Sequence, residues 1–144
     1  MVKKATVADS NTLAQLAVKM WTDSSVAELE ADFSVIIDSG TAACFIKCLN
    51  DTPIGFAQCS LRNDYVEGTS SSPVGYLEGV FVKSQYRNKG YAKELLLACE
   101  KWAKEMGCSE FASDCEFTNE GSLKFHLSMG FDEVNRVICF RKEI

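Results

Sequence analysis

Six consecutive residues, Arg87-Asn88-Lys89-Gly90-Tyr91-Ala92, join the end of an apolar strand pattern to the start of a helical one. A helix start presents unpaired N–H groups and the positive end of the helix dipole, which together bind anions. A glycine there lets the backbone approach a bulky anion with no side chain in the way. Arg87, Lys89 and Lys93 crowd this junction with no acid between them, although the chain as a whole is acidic, with 15 Lys+Arg against 20 Asp+Glu. The run lacks the Gly-Lys-[Ser/Thr] ending of a P-loop, and Gly68 to Gly75 has the wrong spacing for one. Two readings stay open on local physics: a pyrophosphate cradle, or an ordinary helix N-terminus with solvated lysines.

A second pattern lies in the acids. No Lys or Arg interrupts the acids between Lys19 and Lys47, between Arg62 and Lys83, or between Lys104 and Lys124. Converging on one cleft, these stretches would raise the local concentration of a polycation; otherwise they are solvated faces. Glu78 stands inside an apolar strand pattern, where an ion is costly unless a site uses it. Asp114 ends the next strand in sequence, and ligand sites of open sheets favour such strand ends.

The elements that must position these residues follow from periodicity. Val2 to Val7 reads as a short strand. Asp9 is placed to cap a helix over about Asn11 to Met20, and a second helix falls within Ser25 to Asp38, stopped by Gly40. Cys44 to Leu49 and Ile54 to Leu61 read as a hairpin through Asn50-Asp51-Thr52-Pro53. The one long loop, Asn63 to Pro73, is either a flexible connection or functional. Gly75 to Lys83 is a strand. Tyr91, Leu95, Cys99, Trp102 and Met106 mark one face of a helix closed by Gly107, with Glu100 and Lys104 paired on the other face. Glu110 to Cys115 reads as a strand, Ser122 to Met129 as a helix, and Phe131 to Arg141 as a last strand. The order βααβββαβαβ is α/β with a mixed sheet and about four helices, expected over 1–144 as one domain.

Composition narrows the function classes. At 144 residues, 47% hydrophobic and 24% charged, the chain can bury a core. A net charge of -5 argues against nucleic acid as a partner. There is no apolar run long enough to span a bilayer and no secretory h-region, so no membrane partner is expected. Seven cysteines without a Cys-x-x-Cys pair, and one histidine, argue against a zinc site or a disulfide framework and for a reducing cytoplasm.

Arg87-Asn88-Lys89-Gly90-Tyr91-Ala92 is similar to the [Gln/Arg]-x-x-Gly-x-[Gly/Ala] signature of the GNAT acyltransferase superfamily, and the element order resembles that fold. Asn119, with Phe125-His126-x-x-x-Gly130-Phe131, resembles a second signature of the family. Asp64-Tyr65-Val66-Glu67-Gly68-Thr69, Pro73-Val74-Gly75-Tyr76-Leu77-Glu78-Gly79, Trp21 and Glu110-Phe111-Ala112-Ser113-Asp114 are similar to aminoglycoside 6′-N-acetyltransferases.

The resemblance implies acetyl-coenzyme A as co-substrate. Its pyrophosphate would lie on Arg87, Asn88, Lys89, Gly90, Tyr91, Ala92 and Lys93. Its pantetheine arm would run along Val80, Phe81 and Val82, with Asn119 as a further contact. It implies a polycationic aminoglycoside as acceptor, bound by Trp21, Tyr65, Glu78, Asp114 and the position of Asn135, where a glutamate is expected in close relatives. For Trp21 a helix-end core anchor, for Asn119 a helix cap and for His126 a structural histidine are the alternatives. Glu78 is the expected base, with Asp114 beside it. His126 occupies the position of a tyrosine proposed as the acid for the leaving thiolate, and imidazole can donate a proton near neutral pH. No metal is needed, and a homodimer is expected. A different GNAT enzyme acting on a polyamine or a protein amine, or a non-catalytic module binding coenzyme A or drug, stays open.

Overall fold

The computed structural model describes residues 1–144. Five strands, β1 (Val2–Lys4), β2 (Ala42–Leu49), β3 (Thr52–Arg62), β4 (Val74–Val82) and β5 (Phe111–Ser113), form one sheet in sequence order. The first four pair antiparallel, and β5 runs parallel to β4. Helices α1 (Ser10–Ala17) and α2 (Val26–Asp38) follow β1, α3 (Tyr91–Glu105) separates β4 from β5, and α4 (Glu120–Ser128) follows β5.

Strand alternation sends successive residues to opposite faces. Ala43, Phe45, Ala57, Cys59 and Leu77 meet Leu95, Leu96, Cys99 and Trp102 of α3 on one face. Cys44, Ile46, Phe56 and Phe81 meet Leu13, Leu16, Leu29 and Phe33 of α1 and α2 on the other. Each buried Leu, Ile or Phe side chain among these contributes roughly 1.5–3 kcal/mol. Burial pushes the Cys44 thiol up to about 12, so it acts as a small apolar residue of this core.

Three local expectations are corrected. The Asp9 carboxylate does not cap α1; it accepts from the Thr6 amide at 2.9 Å and from Lys3, closing a short 3₁₀ turn over Val7–Asp9. On α2, Ser25 and Glu28 form a reciprocal capping box. On α3 the ion pair is Lys101–Glu105, at 4.0 Å. No strand forms over Phe131 to Arg141. Phe131 packs on Phe111 and His126, but from Asp132 onward the chain is exposed and joins no ladder. It carries Val134, Val137, Ile138 and Phe140, and a strand partner within the same chain is what it lacks. No helix is long and apolar enough to cross a membrane.

Candidate active site

β4 and β5 pair only from Gly75↔Phe111 to Leu77↔Ser113 and then separate. Beyond this point the edge of β4 over Glu78 to Val82 faces away from β3 with no strand on it. On the β3 side, Gln58 opposes Gly79 and Cys59 opposes Leu77, so Glu78 is the extra residue of a β-bulge. A bulge re-aims a side chain without ending the strand. Here it puts Glu78 at the point where the sheet splays.

The turn after β4 leads into an open helix start. A 3₁₀ turn spans Ser84–Tyr86, Arg87 is extended, and Asn88 (φ 60) and Gly90 (φ 82) are left-handed before α3 begins at Tyr91. A Cβ on Gly90 would meet no protein atom within 4 Å, so the space above this helix start is open. Arg87 turns back, its Nε donating to the Val82 carbonyl at 2.8 Å, and ties the turn to β4. Glu94, an acid in the first turn of α3, would oppose an anion. It is paired at 2.5 Å with Lys47, which reaches across from β2, is buried and lies over the Tyr91 ring. Glu94 in turn holds the Lys47 ammonium above its usual range. The open, glycine-led helix start and the strand-free edge of β4 fit the pyrophosphate and the amide arm of coenzyme A.

The acceptor candidates fall into two groups joined by residues that the motif reading missed. Glu78 accepts from Ser60 at 2.5 Å and from Arg62, whose Nη2 lies 3.1 Å from both carboxylate oxygens. The Arg62 guanidinium stacks 3.4 Å from the centroid of Tyr76, and the Tyr76 hydroxyl donates to Asp114. Burial, with Asp114 beside it, pushes the Tyr76 phenol well above its ordinary value, so Tyr76 remains the donor of this bond. Trp21 packs edge-on against Phe56, and Gly79 lets it lie against β4, since a Cβ there would come within 2.9 Å of the indole. Trp21 is half-buried, part core anchor and part wall beside Glu78.

Tyr65, Asp114, Asn135 and His126 line a cleft of about 960 Å³ along the free edge of β5. Seven acids line it against two arginines, which favours cations. The three acid stretches converge only in part. Glu67, Glu110, Asp114 and Glu116 reach the cleft, whereas Asp23, Glu28, Glu30, Asp32 and Asp38 lie on or before α2, away from it. Asn135 donates to Glu67 at 2.9 Å.

His126 is clamped. Its Nδ1 lies 2.7 Å from the Ser122 carbonyl and its Nε2 2.8 Å from Ser113 Oγ, which itself sits 3.2 Å from the Leu77 carbonyl. Nδ1–H therefore donates to the Ser122 carbonyl, and Nε2 faces the Ser113 hydroxyl. Asn119 caps α4, accepting from the Ser122 amide at 3.0 Å.

The long loop over residues 63–73 is anchored. Glu110 accepts from the Ser71 hydroxyl and from the amides of Ser70 and Ser71, which hold its carboxyl below the usual carboxylate range. A depressed folded pKa stabilises above the ordinary value of 4.5, and the contribution is lost as pH falls through the folded value. The protection factors of the Ser70 and Ser71 amides, which remove the intrinsic pH dependence of exchange, should therefore stay high near neutrality and fall at pH values below the ordinary carboxylate range. Glu110→Gln should show low protection at every pH; high protection in that variant would show that the loop is held by other contacts.

The residues matched by the acetyltransferase (GNAT) family model are 11–131. The chain belongs to the GNAT acetyltransferase family. Among GNAT proteins it is 45% identical over 112 residues to an aminoglycoside N(6′)-acetyltransferase type 1 of Salmonella typhimurium, covering 78% of this chain and 77% of that one. It is 39% identical over 141 residues to the protein of the same description from Stenotrophomonas maltophilia, covering 97% and 91%. The solved structure of AAC(6′)-Iy with a bisubstrate analogue, CoA-S-monomethyl-acetylneamine, superposes with a TM-score of 0.95 at 36% identity over 100% of this chain and 98% of that one.

Proposed function

We propose that this GNAT enzyme transfers the acetyl group of acetyl-coenzyme A to the 6′-amine of an aminoglycoside, in a direct reaction with both substrates bound. The observation that carries this reading is the junction of Glu78 and Asp114, through Arg62 and Tyr76, beside the open edge of β4. The relatives named above support the acceptor class.

The coenzyme supplies an acetyl group already activated as a thioester. The turn from Arg87 to Lys93 holds its pyrophosphate, Val80 to Val82 and Asn119 its arm, and a backbone N–H at Val80 suits oxyanion stabilisation. Trp21 and Tyr65 pack on sugar rings. Tyr65 is 78% exposed on the anchored loop, available for this. Asp114 and Glu67 attract the polycation, and Asn135 contributes at the rim. Glu78 takes the proton from the acceptor ammonium. His126, through Ser113, returns one to the leaving thiolate. Seven free thiols suit a reducing cytoplasm, and the acid lining disfavours nucleic acid.

Incubation with acetyl-coenzyme A and an aminoglycoside panel, beside polyamines and a peptide amine, tests the reading. The product should be a singly acetylated drug, placed at the 6′ position by mass spectrometry and NMR. Acetylation of only the non-drug amines would reject the reading. Asp114→Asn should show its defect mainly in KM, and added salt should partly reproduce that defect in the wild type.

The same reading includes a homodimer. β5 has a ladder neighbour on one side only, and the arm after Asp132 exposes Val137, Ile138 and Phe140 at 71%, 82% and 91%. An unpaired strand edge and an unpaired apolar strand sequence complement each other across two copies. Light scattering should give twice 15.9 kDa, and deletion of 137–144 should return the monomer mass. A monomer mass for the full chain at all working concentrations would reject the dimer.

A further inference from the structure

Arg62 is a cation set between the two acids assigned to the acceptor. It is the last residue of β3, on the sheet face that also carries Ser60, Tyr76 and Glu78. Its Nη2 holds both Glu78 oxygens at 3.1 Å, its Nε lies 3.3 Å from one of them, and its plane covers the Tyr76 ring. Nothing buries it; its side chain is 43% exposed. An ion pair this open is weak and screened by salt, so it can be exchanged for another cation. The other arginine of the cleft, Arg136, is engaged with Glu133 and lies over Phe117.

From this the geometry points to Arg62 as a residue that sets acceptor affinity, a tethered stand-in for the acceptor ammonium that holds Glu78 in the free enzyme and yields it when substrate enters. The inference rests on the acceptor reading above. A guanidinium tethered to the same chain competes at an effective concentration in the millimolar range. It lowers the apparent affinity of every acceptor by the fraction of enzyme in which Glu78 is free. A drug anchored by further ammonium groups on Asp114 and Glu67 and a lone amine bound through one charge lose the same factor, so Arg62 sets the affinity and those acids set the preference.

The variants Arg62→Met and Arg62→Lys and the wild type are compared with neamine and with methyl 6-amino-6-deoxyglucoside, which carries a single amine. Met removes the charge but keeps a stem over Tyr76. Lys keeps the charge but can neither fork onto both oxygens nor stack as a plane. Arg62→Met should lower KM for both acceptors by a common factor of about tenfold, the value for a free enzyme with roughly one site in ten open. The change in kcat should be much smaller. Arg62→Lys should fall between, although its net charge is that of the wild type, which separates displacement from general attraction. In the wild type, with ¹⁵N-arginine, the Nε–H resonance that Arg62→Lys removes should move when neamine saturates the enzyme. An unchanged or raised KM in Arg62→Met, or an unmoved resonance at saturation, overturns the proposal. If either variant fails to fold, the resonance alone decides, assigned by elimination from the other arginines. If the wild type takes up no aminoglycoside by calorimetry, the acceptor reading fails and takes this proposal with it. If it binds and acetylates the drug while the resonance stays put, only the stand-in role fails.

Discussion

Glu78→Gln should lower kcat by about 10²–10⁴-fold at mildly acid pH, the usual range for loss of a positioned base. The substitution keeps the shape of the side chain and its bond from Ser60, so the bulge at Glu78 and the splay of β4 from β5 should persist. What it removes is an atom able to accept the ammonium proton while the acceptor attacks. The defect should therefore shrink as pH rises and the substrate amine loses its proton to solvent. An acid that merely held the cation would stabilise ground state and transition state alike, and its loss would appear in KM. The kcat and KM of Glu78→Gln against wild type from about pH 6 to pH 9 make the distinction. Near-wild-type kcat at the acid end would remove Glu78 as base and turn attention to Asp114 or a water chain. Arg62 bears on this result, because it holds both oxygens of the Glu78 carboxylate that is to take the proton.

Much of this arrangement was legible in the residues. Helical and alternating periodicity located every helix and the five strands to within a few positions, because apolar spacing dictates which face is buried. The open, glycine-led helix start was legible from Gly90 standing between a basic turn and a helical period. The bulge at Glu78 was signalled only by Gly79, a glycine inside a strand pattern, and its exact place depends on the register between β3 and β4. The last strand, expected over Phe131 to Arg141, does not form, because an apolar segment says that it can pair and not where its partner is. Arg62 and Ser60 could have been found. Gln58, Ser60 and Arg62 are the polar half of an alternation whose other half is Ala57, Cys59 and Leu61, and Tyr76 with Glu78 repeats the pattern on β4. Period two alone puts these on one face. Lys47, a lysine within an apolar strand, carried a similar signal, but its partner Glu94 lies 47 residues away and needed the fold to be seen.

Gly90→Val should raise the dissociation constant for coenzyme A by roughly 10²-fold, the loss of one or two charge-assisted hydrogen bonds at about 1.5–3 kcal/mol each. Two costs are involved and they can be separated. Gly90 has φ 82, a region in which an L-residue pays roughly 1–2 kcal/mol, so Tm should fall by a few degrees. The second cost is local to the ligand. A Cβ at Gly90 enters space that no protein atom fills within 4 Å, so the protein itself does not resist the side chain; the anion does. Gly107, just past the C-terminal end of α3, supplies the control. It has φ 91 and equally open surroundings, but it lies at the negative end of the helix. Gly107→Val should lose similar thermal stability and keep its affinity for the coenzyme. Calorimetric titration of both variants with coenzyme A decides the matter. Wild-type affinity in a folded Gly90→Val would place the pyrophosphate elsewhere, and an equal loss of affinity in both variants would assign the effect to backbone strain in α3 rather than to the cradle.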